Sequence, residues 1–215
     1  PGGRRAAGLP DGVGGVRVVP EAVDTAVFDA DKGYQPLPIM AADRRIKFLS
    51  VFKWEARKGW DVLLRAFLAE FPDAAASPAA LYIRASPYHD PSAAAEGGFT
   101  GRIARFARAE LGIADAGKLR HIVVLEQELP LKELPRLYAG ADAFVLPSRG
   151  EGWGRPHIEA MAMGLPAIAT NWSGNTEFML PNNSLLIPIE GLEPVAEGAF
   201  KGHVWAKPSV EVGRL

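Results

Sequence analysis

Two hydrophobic rhythms alternate along the chain. Ile46–Phe52 is a mainly apolar run of strand length, and Trp60–Phe71 follows with Val62, Leu63, Ala66 and Phe67 recurring on one helix face until Pro72 stops it. The alternation continues with strand-like Leu81–Ala85 and a helical pattern over Ile103–Leu111. Next come His121–Leu125 as a strand, Lys132–Tyr138 as a helix and Ala143–Leu146 as a strand. Arg155–Met163 reads as a helix, Pro166–Thr170 as a strand, and Leu185–Ile187 as a last short strand.

Strands that are apolar along their length and separated by helices predict a parallel sheet covered on both faces. With right-handed crossovers this is an α/β fold, a doubly wound, mostly parallel, Rossmann-like sheet over residues 44–190. Ligands in such folds sit beyond the carboxyl ends of the strands. That directs attention to the loops Lys53–Gly59, Glu126–Pro130 and Pro147–Gly154.

The flanks read differently. Residues 1–43 are rich in Gly, Pro and Ala, and only Val16–Val19 has strand character; they read as a linker or the remnant of a larger unit. Residues 191–215 read as a truncated C-terminal extension. Pro1 in place of Met implies an N-terminus that is missing, and with it any targeting signal, so location stays open.

Composition narrows the chemistry. Lys and Arg number 24 against 25 Asp and Glu, a net charge of −1, so no global field favours nucleic acid or an anionic surface. The absence of cysteine excludes disulfides, thiolate metal sites and cysteine nucleophiles. No apolar stretch is long enough to span a bilayer. The four histidines lack ligand-like spacing, and Asp29-Ala-Asp31 lies in a Gly/Pro-rich stretch instead of ending a buried strand; no metal site is expected.

The segment from Pro147 to Pro166 carries the strongest signal. Gly150, Gly152 and Gly154 bracket Glu151 and Trp153 between a strand and a helix, where backbone can approach a ligand closely. Pro156 suits the first helical turn, whose unbonded amides and dipole form a natural phosphate site. Carboxylates are strong acceptors for sugar and ribose hydroxyls, a role open to Glu151 and Glu159. The competing reading has Glu151 solvated and Glu159 paired with Arg155 one turn away. Lys53, Arg57 and Lys58 gather in the loop after the first strand, where a diphosphate needs neutralising, or where they are merely solvated.

Together these segments resemble the donor-binding domain of the retaining GT-B glycosyltransferases, a group 1-like family marked by two glutamates with seven residues between them. Glu151 and Glu159 have that spacing, set in Pro-Ser before the first and Glu-Ala-Met-Ala-Met-Gly-Leu-Pro166 at the second. Lys53 and Lys58-Gly59 match the family's basic strand–loop, with Lys53 where Arg is frequent. Val18–Phe28 is similar to the segment joining the two domains of such enzymes.

The resemblance implies one half of a GT-B fold, with a preceding acceptor-binding domain as its partner. It implies that Lys53 and Lys58 bind the donor diphosphate and Glu159 the ribose. Glu151 would bind the transferred hexose, with Gly152, Trp153 and Gly154 beside it and the Leu125–Glu128 loop near the base. Lys58 and Glu151 would act in the reaction itself, the transfer of a hexose from a nucleotide-diphosphate sugar to an acceptor with retention. No cofactor or metal is implied, and the isolated chain would bind donor without transferring it. Two alternatives share the fold: a non-catalytic nucleotide-sugar-binding module, and a nucleotide-sugar epimerase or a phosphorylase.

Overall fold

A computed structural model describes residues 18–87, 97–196 and 200–210. Eight strands and five α-helices are present among them. The strands are β1 (Ile46–Trp54), β2 (Ala79–Pro87), β3 (Ile122–Leu125), β4 (Ala143–Leu146), β5 (Ala167–Thr170), β6 (Leu185–Ile187), β7 (Ile189–Pro194) and β8 (Val204–Pro208). The helices are α1 (Pro38–Ala41), α2 (Trp60–Glu70), α3 (Gly98–Leu111), α4 (Leu134–Ala139) and α5 (Arg155–Ala162).

β1 to β6 form one sheet in the order β3-β2-β1-β4-β5-β6, and every pairing is parallel. The order reverses between β1 and β4, which leaves a crevice at their carboxyl ends, between Trp54 and Leu146. This is the doubly wound arrangement that the alternation of strands and helices predicts.

The core follows the strand pattern. Leu49, Leu81, Ile83, Phe144, Leu146 and Ala169 are fully enclosed, and α2 inserts Leu63, Leu64, Phe67 and Leu68 from one side. Covering is uneven, however. Phe48, Val145, Ile168 and Ile187 line an open apolar groove of about 450 Å³ with Phe67 and Phe71, so this part of the sheet is less enclosed than its composition suggests. Ser209 and Val210 reach the same groove.

Several boundaries move, for physical reasons. β1 extends through Trp54, because β2 pairs alongside it to Pro87, so Lys53 belongs to the strand and not to the loop after it. α3 starts at Gly98, not Ile103, because the distant Glu126 carboxylate accepts the Phe99 amide at 3.0 Å. α4 starts at Leu134 after a 3-10 turn over Leu131–Glu133, with Pro135 where no amide hydrogen is needed.

Outside the central sheet, Val18–Pro20 is not a strand, and Val16 and Arg17 lie outside the described residues. Residues 18–42 nevertheless lie against the domain: Phe28 and Met40 enter the core, and Phe28 meets Tyr138 edge-on at 5.9 Å. Asp29, set aside above as a metal ligand, caps a short 3-10 turn by accepting the Asp31 amide. β7 and β8 make an antiparallel hairpin that the sequence pattern did not announce. Its strands alternate weakly, and their connection carries no tight-turn signature.

Candidate active site

The site is assembled from two loops that are forced together. After β1 the chain makes a 3-10 turn over Ala56–Lys58 and turns into α2 through Gly59 at φ 64°. A Cβ at Gly59 would stand 2.0 Å from the Pro147 carbonyl oxygen, so only glycine permits this approach to the β4–α5 loop. The Arg149 amide then donates to the Arg57 carbonyl at 2.7 Å.

That contact brings Lys58 to Glu151. Lys58 Nζ lies 2.7 and 2.8 Å from the two carboxylate oxygens, and the side chains are only 10% and 6% exposed. Arg57 Nη1 adds a bond to Glu151 at 3.3 Å and one to the Gly150 carbonyl at 2.7 Å. Burial raises the Glu151 pKa, but the Lys58 charge and hydrogen bonds outweigh it, and the carboxyl sits below its ordinary value. The solvated reading of Glu151 and Lys58 therefore fails.

The loop after β5 clamps the same segment from the other side. Ser173 Oγ accepts the Glu151 amide at 2.6 Å, and the Gly174 amide donates to the Glu151 carbonyl at 3.1 Å. Ser173 does so at φ 68°, ψ −153°, a region nearly reserved for glycine, which costs on the order of 1–3 kcal/mol.

α5 is entered through its N-cap Gly154, φ 100°, where a Cβ would meet His157 Nδ1 at 2.8 Å. Gly154 has no side chain with which to cap the first turn, and Pro156 removes one amide. Buried His157 lies beneath, edge-on to Phe144 at 5.4 Å; its enclosure lowers its pKa to about 4, so the imidazole is neutral. Trp153 packs its ring on Phe178 at 5.2 Å. Gly152 differs from Gly154: a Cβ there would meet nothing within 4 Å. The fold itself does not require that glycine.

Glu159 lies one helical stretch away in different surroundings. Buried Tyr138 donates to its Oε2 at 2.9 Å, while Arg155, 66% exposed, comes no closer than 3.9 Å. Burial, partly opposed by the Tyr138 bond, raises the Glu159 pKa. Its main partner is thus a buried phenol and not the arginine one turn away. Lys53 stands exposed next to the end of β1, and Glu126, in the loop expected near a base, caps α3.

Comparison with known proteins decides the family. Residues 43–199 match the model of the glycosyl transferases group 1. The chain belongs to this family. A GDP-mannose-dependent α-(1-6)-phosphatidylinositol monomannoside mannosyltransferase of Mycolicibacterium smegmatis is 27% identical over 207 residues, 93% of this chain and 47% of that protein. The chain thus spans about half the length of that relative. The C-terminal domain of a Francisella tularensis group 1 glycosyl transferase superposes with a TM-score of 0.56 at 20% identity, covering 78% of this chain and 80% of that one. Sucrose-phosphate synthase of Thermosynechococcus elongatus gives 0.59 at 24% identity, covering 82% and 40%. The sheet of this family member therefore matches one half of the GT-B fold.

Of the residues the sequence singled out, the fold brings Lys58, Glu151 and Gly152–Gly154 to one place, with Glu159 set into the helix behind them. The sequence does not single out three neighbours in that role: Arg57 as a direct partner of Glu151, Arg149 and Ser173. Arg57 stood among the loop cations; the other two carry no local signal. With Trp172 and Trp205, all three and Glu151 line a cavity of about 520 Å³ beside the glutamate loop. Among the described residues, no helix is long and apolar enough to cross a membrane, and no group of three or more His, Asp or Glu could hold a metal.

Proposed function

We propose that this glycosyl transferase moves a hexose from a nucleotide-diphosphate sugar to an acceptor, with retention at the anomeric carbon. The observation that carries the proposal is the buried Lys58–Glu151 pair, held at the carboxyl edge of the sheet where the strand order reverses. A pair this enclosed is costly, and hydrophobic residues of similar volume would serve packing as well. Its presence at the ligand crevice is best accounted for by work on a ligand.

In this reading Lys53 and Lys58 face the diphosphate, and the start of α5 adds its dipole. These groups stabilise the charge that grows on the departing diphosphate as the bond to the anomeric carbon breaks, so neither metal nor cofactor is needed. Glu151 accepts from hydroxyls of the hexose, over the open Gly152 and beside Trp153 and Gly154. Glu159 uses its Oε1 for the ribose, while Oε2 stays with Tyr138. The mannosyltransferase likeness supports a hexose as the transferred group. An acceptor-binding domain of the full protein would close the crevice and place the acceptor.

Thermal-shift titration of the chain with uridine, UDP, UDP-glucose, guanosine, GDP and GDP-mannose tests this. A diphosphate and its hexose conjugate should stabilise the fold by mass action well beyond the nucleoside. Equal stabilisation by nucleoside and diphosphate would overturn the assignment of the lysines. In a protein that includes the acceptor-binding domain, isomerised donor without transferred hexose would favour an epimerase.

A further inference from the structure

Glu151 sits between Gly150 and Gly152, two residues that impose little on the backbone, so its position has to be fixed from outside. Ser173 does so on one side. On the other stands Arg149, whose side chain turns away from the glutamate altogether. Its Nη1 and Nη2 make parallel bonds to the Asp61 carboxylate at 2.8 and 2.7 Å, at the start of α2. Nη1 also donates to the Ala56 carbonyl, and Nε donates to Glu193 on β7 at 3.0 Å.

The hairpin is built around that last contact. Glu193 and Trp205 face each other across β7 and β8, and Trp205 Nε1 donates to the same Glu193 oxygen at 3.0 Å. The Arg149 guanidinium lies over the Trp205 ring at 5.5 Å, and the Arg149 carbonyl accepts the Ala206 amide at 2.9 Å. At 12% exposure this is not a surface ion pair. One residue ties the motif loop to α2, to the Lys58 turn and to the hairpin.

We propose that Arg149 is a positioning residue for the hexose-binding glutamate, and that the β7–β8 hairpin acts on the site through it. The inference rests on the reading of Glu151 given above. Lysine cannot replace it: an ammonium keeps the charge but loses the planar fork that bonds Asp61, Glu193 and the tryptophan face together.

The experiment compares the wild-type chain with Arg149→Lys and Glu193→Gln. Affinities are measured by calorimetry for UDP, UDP-glucose, GDP and GDP-mannose, and melting temperature is followed in parallel. The ratio of conjugate to bare nucleotide affinity isolates the hexose contribution. In both variants that ratio should fall about fivefold or more, with nucleotide affinity held within about twofold. A variant that melts earlier but keeps the wild-type ratio shows a purely structural arginine and overturns the inference, leaving the hexose reading intact. A wild-type chain that binds nucleotide and conjugate equally overturns the hexose reading itself. Glu193→Gln leaves the Asp61 bonds in place, so it decides the matter if Arg149→Lys does not fold.

Discussion

Glu151 and Glu159 are the same residue type eight positions apart, and the fold treats them in opposite ways. Glu151 is held by a cation contributed from another loop, which keeps its carboxyl below the ordinary range. Glu159 has a phenol as its partner and a cation only at a distance, and burial pushes its carboxyl up. Spacing in a motif thus fixes which residues are near each other, while the charge state of each is set by what the rest of the chain brings to it. The first glutamate depends on a long-range loop contact; the second depends on the buried face of α4.

The largest way to break this contrast is Lys58→Ala. It leaves Glu151 buried without its main cation, so urea titration should show a loss of about 3–5 kcal/mol. Combining Lys58→Ala with Glu151→Ala should recover a substantial part of it, because the stranded charge is gone. Tyr138→Phe should cost less, about 1–3 kcal/mol, the scale of a buried acceptor losing its donor.

A pH series sharpens the comparison further. His157 is neutral at pH 7 with a folded pKa of about 4, against 6.5 for the ordinary group. The unfolded chain therefore binds the extra proton first, and stability falls as pH drops from about 6.5 towards 4, by about 3 kcal/mol from this residue. His157→Leu should flatten that slope. The two glutamates act with opposite signs. Glu151, depressed, contributes stability above its unfolded pKa of about 4.5, which is lost as pH falls through the lower folded value. Glu159, raised, does the reverse: acidification through its folded value adds stability. Glu159→Gln should thus weaken the rise on acidification, and Glu151→Gln should weaken the fall.

The smallest expected effect in stability is the most telling for function. Gly152→Ala adds a methyl group into open space, so stability should stay the same or rise by about 0.4–1 kcal/mol. On the proposed function the added methyl stands in the hexose site, so UDP-glucose or GDP-mannose should bind more weakly while the bare nucleotide is unaffected. Unchanged binding of the conjugates would remove Gly152 from the site.

Much of this was legible in the sequence because it is local. The strand and helix periods gave the sheet, and β4, β6 and the start of α5 lie where the apolar pattern and Pro156 put them. The gathering of Lys58 and Glu151 was implied by a resemblance, not by periodicity. What stayed hidden depends on distant partners. Glu126 starts α3 from across 27 residues, Asp61 and Glu193 hold Arg149, and Ser173 accepts a strained backbone to clamp Glu151. Partner choice at such separations leaves no pattern in the neighbouring residues. The hairpin was hidden for the same reason: Arg149 meets it from a distant loop, through Glu193 and the Ala206 amide.

The central claim is that Glu151 meets the transferred hexose and Glu159 the ribose. Calorimetric titration of Glu151→Gln and Glu159→Gln with UDP, UDP-glucose, GDP and GDP-mannose tests it most directly. Glu159→Gln should weaken a nucleotide and its hexose conjugate alike, by about 1–3 kcal/mol. Glu151→Gln should leave the nucleotide untouched and penalise only the conjugate. Identical behaviour of the two variants would contradict the account.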